Sequence, residues 1–225
     1  MSTRVALVTG GARRLGKATA IALHERGLNI VLHYRRSLDE AQQLAAELSA
    51  KRSDSVQLLK ADLDHPNAMR LLAKEALACW QRIDVLVNNA SSFYATPIES
   101  ASDEDWTRLM HSNLRAPFIL TQCLADTLKQ HHGSIVNLID VYAQKPLFEH
   151  SLYCMAKAGL ASLTLSMARE LAPNVRVNGV APGPIMWPEQ GQDNQQQIIQ
   201  ATALQRTGQP QDIASAVTWL ALDAP

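Results

Sequence analysis

The sequence has few cysteines, no excess of either charge and no long hydrophobic run. Its three cysteines are odd in number and widely spaced, which argues against a disulfide framework and a Cys-x-x-Cys metal site. Lys and Arg balance Asp and Glu at 21 each, so the net charge gives no indication of nucleic acid or an anionic membrane as partner. No apolar run approaches bilayer length, and the N-terminal residues have no signal-peptide core. These absences predict a soluble cytoplasmic protein.

Short apolar runs alternate with helical patterns along the chain. Six strands are predicted, at Val5–Val8, Ile30–Leu32, Val56–Leu59, Val85–Val87, Ile135–Leu138 and Val175–Val180. Strands that alternate with helices need right-handed crossovers, which produce a parallel sheet with helices on both faces. The pattern therefore predicts a single α/β domain of three layers, a doubly wound parallel sheet of the Rossmann type. The ligand of such a fold binds at the carboxyl ends of the strands.

A glycine-containing turn follows the first predicted strand. Gly10 and Gly16 frame this turn, and backbone N–H groups at a turn that opens a helix can bind the phosphates of a dinucleotide. Arg14 stands where a dinucleotide fingerprint would have its middle glycine. Its guanidinium would pair with the phosphates or contact the reactive ring; otherwise it is an exposed arginine at the start of a helix.

The end of the second predicted strand indicates the type of dinucleotide. NAD-binding enzymes have an acid here, which binds the adenosine ribose, whereas a 2′-phosphate needs cations. The sequence has no acid before Asp39, and the residues it offers are His33, Arg35, Arg36 and Ser37. NADP(H) is therefore the predicted cofactor, and Arg13 would reach the same phosphate from the glycine turn. Asp62, after the third strand, would accept a hydrogen bond from the adenine amino group or cap the next helix.

A tyrosine and a lysine four residues apart are predicted on one helix. Tyr153 and Lys157 would stand one turn apart on the same face, and a fixed positive charge lowers the pKa of a nearby phenol. The spacing alone is common on solvated helix surfaces. Three upstream features indicate that the pair is catalytic: the glycine turn, Asn88-Asn89-Ala90 after the fourth strand, and the acid Asp140 thirteen residues before the tyrosine.

Together these motifs resemble those of the short-chain dehydrogenase/reductases over essentially the whole chain. They are, in order, Thr9-Gly10 and Gly16, Asn88-Asn89-Ala90, Asn113, Tyr153-x-x-x-Lys157, Arg176-Val177-Asn178 and Pro182-Gly183. Within that family the chain looks most like the pteridine reductases. The marks of that subgroup here are the arginine-containing glycine turn, the run from His33 to Ser37, the segment from Asn89 to Tyr94, and Asp140.

Two departures from the general family pattern carry the assignment to this subgroup. Most members have a serine at the position of Asp140, which binds a carbonyl oxygen, whereas a carboxylate accepts hydrogen bonds from ring N–H and amino groups. Most members also have a glycine where Ser91 stands. Two residues further on, Phe93 would cover a flat heterocycle against the nicotinamide, unless it is ordinary core packing.

The resemblance implies hydride transfer from NADPH to a ring C=N of a dihydropterin, with protonation of the ring nitrogen. Lys157 would hold the nicotinamide ribose and lower the pKa of Tyr153, while Asp140 and Tyr153 supply a proton. Asn113 would order its helix and a water. The residues implied to bind the cofactor are Gly10, Arg13, Arg14, Leu15, Gly16, His33, Tyr34, Arg36, Ser37, Asp62, Leu63, Asn89, Ala90, Ser91, Tyr153, Lys157, Pro182 and Gly183. The residues implied to bind substrate are Arg14, Ser91, Phe93, Asp140, Tyr153 and Trp187.

Further expectations concern the lid, the assembly and the chain end. The segment 183–200 is interpreted as a lid, in which Trp187 closes over substrate or packs within the lid. The resemblance implies a homotetramer built on the helices at 116–129 and 153–171. It also implies a strand and a glycine-rich tail beyond Pro225, which we expect this sequence to lack.

Other interpretations remain open at this point. One is a carbonyl or 3-oxoacyl reductase of the same family, in which Asp140 is incidental. Another is a non-catalytic dinucleotide-binding regulator, although the set of Asn113, Tyr153 and Lys157 argues against it. We predict no metal site, because His131 and His132 have no further ligand spaced to join them. Cys154, next to the tyrosine, is a structural thiol or a substrate contact.

Overall fold

The computed structural model describes residues 3–187 and 195–225, and in this part of the chain six strands form one sheet. The strands are β1 Val5–Val8, β2 Asn29–Tyr34, β3 Val56–Lys60, β4 Val85–Asn88, β5 Ser134–Leu138 and β6 Arg176–Val180. Their order is β3-β2-β1-β4-β5-β6, and every neighbouring pair is parallel. The predicted doubly wound sheet is thus confirmed. The strand order reverses between β1 and β4, where such folds bind ligands.

Helices connect the strands and cover both faces of the sheet. They are α1 Arg14–Glu25, α2 Leu38–Lys51, α3 Pro66–Trp80, α4 Asp103–Met110, α5 Ala116–Gln130, α6 Ser151–Leu171, α7 Gln195–Ala201 and α8 Pro210–Leu222. A π-helix, His111–Arg115, joins α4 to α5. The expected helix from Trp106 to Leu114 is therefore wrong in its bounds. The helix that carries Tyr153 begins two residues earlier than expected.

The side chains of β1 show how the sheet separates two cores. Ala6 and Val8 face one side, where they join apolar residues of α1, α2 and α8. Val5 and Leu7 face the other side and join residues of α3, α5 and α6. All four are fully buried, as expected for a parallel strand covered on both faces.

A line of polar side chains crosses the second of these cores. The Asn88 amide on β4 donates to Oδ1 of Asn137 on β5 at 2.8 Å, and Asn137 in turn donates to the Thr164 hydroxyl on α6 at 2.9 Å. Thr164 donates to the carbonyl oxygen of Leu160 at 2.7 Å. Because buried polar groups cost free energy unless they are paired, this line fixes the register of β4, β5 and α6.

Candidate active site

The glycine turn after β1 is held by hydrogen bonds to the segment after β4. The Thr9 hydroxyl accepts from the backbone N–H groups of Asn89 and Ala90, and the Asn89 amide donates to the carbonyl oxygens of Thr9 and Gly10 at 2.8 and 3.0 Å. A Cβ on Gly16 would lie 2.2 Å from the Gly10 carbonyl oxygen. Backbone segments of the turn therefore pack closely without side chains between them, which is the arrangement that a pyrophosphate site needs.

The two arginines of the turn point in different directions. Arg13 lies 3.6 Å from the carboxylate of Glu40. Arg14 adopts a φ of 52°, in the left-handed region that favours glycine. Its guanidinium donates to the carbonyl oxygens of Met186 and Trp187, each at 3.1 Å. Arg14 thus ties the glycine turn to the start of the expected lid. Leu15, another expected cofactor residue of this stretch, packs against the first core.

His33 is not a cation for a phosphate. It is 2% exposed, its Nδ1 accepts from the Gly10 N–H at 3.0 Å, and its Nε2 donates to the Ala61 carbonyl oxygen at 3.2 Å. Burial lowers the pKa of His33 to about 4. The expectation that this imidazole helps to neutralise a 2′-phosphate is therefore wrong, because the ring is neutral at physiological pH.

The other residues at the ends of β2 and β3 divide into buried and accessible ones. Tyr34 and Leu63 belong to the two cores, and the side chains of Arg36 and Ser37 are accessible. Arg36 thus remains available as a cation for a phosphate. Asp62 accepts from the backbone N–H of Asp64 at 3.0 Å, whereas α3 begins after His65, so the alternative of Asp62 as helix cap is not observed.

A second group of contacts joins the segment after β4 to the π-helix. The Ser91 hydroxyl donates to Oδ1 of Asn113 at 2.6 Å, and the Asn113 amide donates to the carbonyl oxygens of Ser92 and Leu109 at 2.9 and 3.0 Å. Asn113 is 1% exposed. The wider turn of a π-helix directs this side chain inward, and such turns are frequent at functional sites.

Asp140 and Tyr153 form a direct hydrogen bond. The tyrosine hydroxyl donates to Oδ2 of Asp140 at 2.6 Å, and the other carboxylate oxygen accepts from the backbone N–H of Tyr142 at 3.0 Å. Tyr153 is 4% exposed. Asp140 follows β5 and Tyr153 lies in the first turn of α6, so the carboxyl end of the sheet brings the two groups together.

Lys157 lies one turn further along α6 and is buried. Its ammonium donates to the Leu138 carbonyl oxygen at 2.8 Å and lies 5.7 Å from the centre of the Tyr153 ring. Burial lowers the pKa of Lys157 to about 8, while the charge of Asp140 acts in the opposite direction. Burial and then Asp140 raise the pKa of Tyr153, with only the Ser91 hydroxyl opposing them. The expectation that Lys157 brings the pKa of Tyr153 down is therefore contradicted.

Phe93 covers Tyr153 from the side of the solvent. Its ring meets the Tyr153 ring edge to face at 4.8 Å and stacks on the imidazole of His150 at 4.8 Å with an angle of 22°. The side chain of Phe93 is 41% exposed, so it is not ordinary core packing. His150, the residue before α6, was not predicted. Its signal in the sequence is only that it precedes the tyrosine by three residues.

The segment after β6 contacts the site through its backbone. The Pro182 carbonyl oxygen accepts from the N–H of Val141, and a Cβ on Gly183 would meet no atom within 4 Å. Trp187 is half-buried. Of the expected lid, residues 188–194 lie outside the described residues, and 195–201 form α7.

The remaining groups near the site have ordinary structural roles. The thiol of Cys154 is buried and accepts from the Leu147 N–H at 3.3 Å. Within residues 3–187 and 195–225, no cluster of His, Cys, Asp and Glu is arranged to hold a metal ion. No helix in the same ranges has the length and apolar character needed to cross a bilayer.

Comparisons with known proteins agree with this geometry. Residues 4–198 match the family model described as short chain dehydrogenase. Pteridine reductase 1 of Leishmania tarentolae is 41% identical over 82% of this chain and 78% of its own length. A 3-oxoacyl-[acyl-carrier-protein] reductase of Synechocystis is 36% identical over 99% of this chain and 91% of its own, and one of Staphylococcus aureus is 35% identical over 98% and 92%.

A solved structure shows the same fold. The blue fluorescent protein from a metagenomic library, crystallised in complex with NADPH, is 32% identical and covers 97% of this chain and 90% of its own, with a TM-score of 0.91. Fold, family model and relatives thus converge with the glycine turn, Asn113, Tyr153 and Lys157 of this chain. The chain belongs to the short-chain dehydrogenase family.

Proposed function

We propose that the protein reduces pteridines with NADPH, acting on dihydrobiopterin-type or dihydromonapterin-type pterins, with dihydrofolate as a further candidate. The observation that carries this proposal is the 2.6 Å hydrogen bond between the Tyr153 hydroxyl and the Asp140 carboxylate. A carboxylate at this point of the site is suited to ring N–H and amino groups, and it is a poor partner for a ketone oxygen.

The glycine turn and its neighbours fit an NADPH molecule. The backbone of the turn can approach the pyrophosphate, because Gly10 and Gly16 have no side chains, and a Cβ at either position would crowd the neighbouring atoms. Arg36 and Arg13 are the candidate cations for the expected 2′-phosphate, because Arg35 pairs with Asp62 and Asp64. NADPH, when bound, supplies the hydride. A related protein of the same fold, the blue fluorescent protein, was crystallised with this dinucleotide.

The protonation states of the site suit a reductase. Burial and Asp140 raise the pKa of Tyr153, so the phenol carries its proton at physiological pH. Its hydroxyl hydrogen is directed at Asp140, and the two groups together hold a proton next to the place where a ring nitrogen would lie. Lys157, buried beneath them, would hold the nicotinamide ribose.

Phe93 supports a flat substrate. One of its faces already accepts the imidazole of His150 in a stacked arrangement, and its edge meets Tyr153. A ring with this position and exposure can cover a planar heterocycle, for which stacking contributes roughly 0.5–1.5 kcal/mol beyond simple burial. Arg14 and Trp187 meet at the opposite side of the glycine turn and remain candidates for substrate contacts.

A 3-oxoacyl reductase is the second candidate. The relatives with that name in Synechocystis and Staphylococcus aureus align with 99% and 98% of this chain. In that case Asp140 would have no role with the substrate, and its contact to Tyr153 would only order the helix. The two candidates differ in the substrates that they predict.

The discriminating experiment follows NADPH oxidation with dihydrobiopterin, dihydrofolate and a simple β-keto ester as alternative substrates. We expect turnover of the pterin, little turnover of the keto ester, and competition by the antifolate methotrexate. Efficient reduction of the keto ester, with no effect of pterins, would instead establish the 3-oxoacyl reductase.

Variants of the central pair test the roles of its members. Asp140→Ala and Tyr153→Phe should each lower kcat for the pterin by about 100-fold or more, as for loss of a general acid, while NADPH affinity stays unchanged. Asp140→Ser is the matched control, because a serine can still accept from the N–H of Tyr142. If Asp140→Ser reduces the pterin as fast as the unmodified protein, the carboxylate has no part in the reaction.

A homotetramer built on α5 and α6 also remains a proposal. A groove of about 510 Å³, lined by residues that include Leu114, Phe118 and Leu163, lies between the π-helix, α5 and α6. Phe118 and Leu165 expose 45% and 71% of their surface there and nearby on α6. Light scattering coupled to size-exclusion chromatography measures the assembly, and a monomeric mass would contradict this proposal.

A further inference from the structure

His33 lies between the glycine turn and the end of β3, with both ring nitrogens engaged by backbone. Nδ1 faces the N–H of Gly10, so it has to be the unprotonated acceptor, and Nε2 then carries the hydrogen that it gives to the carbonyl oxygen of Ala61. A protonated ring would direct a second hydrogen at the Gly10 N–H. The surroundings therefore admit one tautomer of the neutral imidazole.

The peptide that His33 holds is central to the turn. Gly10 has a φ of 60°, and its carbonyl oxygen accepts from the Asn89 amide. That oxygen is also the atom against which Gly16 packs, with room for a hydrogen and none for a Cβ. The Gly10 residue is thus fixed from both sides, through its N–H by His33 and through its carbonyl by Asn89.

Without His33, the Gly10 N–H would lose its acceptor, and the Thr9–Gly10 peptide would be held only through the Thr9 carbonyl oxygen, which accepts from the Asn89 amide. A fully buried backbone N–H that loses its acceptor costs about 1–3 kcal/mol, and for the half-buried Gly10 the turn reduces this cost by changing its conformation to meet another acceptor or water. Such a change would move the backbone on which the pyrophosphate rests.

We propose that His33 is a positioning residue for the dinucleotide: its Nδ1 acceptor fixes the Gly10 peptide, and thereby the shape of the phosphate cradle. Both ring nitrogens are used by backbone, so His33 acts through the turn. This inference rests on the dinucleotide binding of the proposed function, and it is independent of the substrate.

Two amide variants separate the two hydrogen bonds of the ring. The side chain of asparagine ends about where Nδ1 lies, so His33→Asn can keep the acceptor for the Gly10 N–H. Glutamine reaches about as far as Nε2, so His33→Gln can keep the donor to Ala61 and loses the acceptor. If His33 only filled space, the smaller asparagine would leave the larger cavity and would be the more harmful change.

The first measurement is NADPH affinity by fluorescence titration without substrate. We expect His33→Asn to bind NADPH within about threefold of the unmodified protein and His33→Gln to bind at least about tenfold more weakly, the factor that corresponds to 1.4 kcal/mol. Equal affinities of the two variants, or weaker binding by His33→Asn, would overturn the inference.

The second measurement needs no dinucleotide. Hydrogen exchange of the peptide that contains Gly10 should be faster in His33→Gln than in the unmodified protein, and close to unmodified in His33→Asn. The opposite order would also overturn the inference. If the unmodified protein fails to bind NADPH, the proposed function is at fault, whereas the exchange experiment still decides the role of His33.

Discussion

The buried ammonium of Lys157 makes a quantitative prediction about stability. Burial lowers its pKa from 10.5 to about 8. Because the pKa in the folded protein lies below that of the unfolded chain, protonation favours unfolding: the resulting destabilisation is complete below pH 8 and disappears as the pH rises toward 10.5. At about 1.4 kcal/mol per pKa unit, the charged lysine is less favourable in the folded protein by roughly 3 kcal/mol at neutral pH.

The perturbation is Lys157→Met, which keeps the length of the side chain and removes the charge. The variant leaves the carbonyl oxygen of Leu138 without its donor, at a cost of about 1–3 kcal/mol, but this cost does not depend on pH. The difference in unfolding free energy between the two proteins should therefore change by about 2 kcal/mol between pH 7 and roughly pH 9.5, in favour of the unmodified protein at the higher pH.

Urea unfolding at both pH values gives the required free energies. Lys145→Met, which removes an exposed lysine, is the matched control and should leave the pH dependence nearly unchanged. Ionisation of tyrosine in the unfolded chain is common to the variant and the unmodified protein, so it largely cancels in the difference between them. The reasoning would be refuted if the free-energy difference between Lys157→Met and the unmodified protein were the same at both pH values. Such a result would mean that folding does not lower the pKa of Lys157.

Three further predictions test the packing of the site and of the core. Gly16→Ala, whose Cβ would lie 2.2 Å from the Gly10 carbonyl oxygen, should weaken NADPH binding by about tenfold or more, whereas Gly183→Ala has open space and should leave thermal stability unchanged. Asn137→Ala leaves the buried Asn88 amide without its acceptor, while Thr164 keeps its hydrogen bond to Leu160, and should lower the free energy of urea unfolding by about 1–3 kcal/mol; a loss under 1 kcal/mol would show that the polar line adds little. Arg14→Gly should be more stable than Arg14→Ala by about 1 kcal/mol in thermal unfolding, since only glycine is unstrained at a φ of 52°, and a more stable alanine variant would contradict this strain.

Hydrophobic patterning was sufficient to predict the six strands along the chain and the parallel sheet that they form. Each run of apolar residues between polar segments became a strand, because the strands of a parallel sheet are covered on both faces. The turn at Gly10 and Gly16 also followed from residue types alone, since a close backbone approach excludes side chains. The proximity of Asp140 and Tyr153 came from family resemblance; nothing in the spacing of thirteen residues dictates it.

The errors have identifiable physical causes. β2 runs to Tyr34, two residues past its predicted end, and this places His33 within the sheet where burial removes its charge. The pKa of Tyr153 was predicted in the wrong direction because desolvation depends on the folded surroundings, which the sequence does not display. The π-helix around Asn113 gives no periodic signal, and the contacts of Arg14 join residues more than 170 positions apart.

The strand order reverses between β1 and β4, and the parts of the chain before and after this point contribute different residues to the candidate site. Most of the residues expected at the phosphates of the dinucleotide come before the end of β4, whereas Asn113, Asp140, Tyr153 and Lys157 all come from the later half. The two halves meet at Asn89, whose amide holds the glycine turn. A substitution at Phe93 or Asp140 can therefore alter the proposed substrate contacts without touching the turn on which the phosphates would rest.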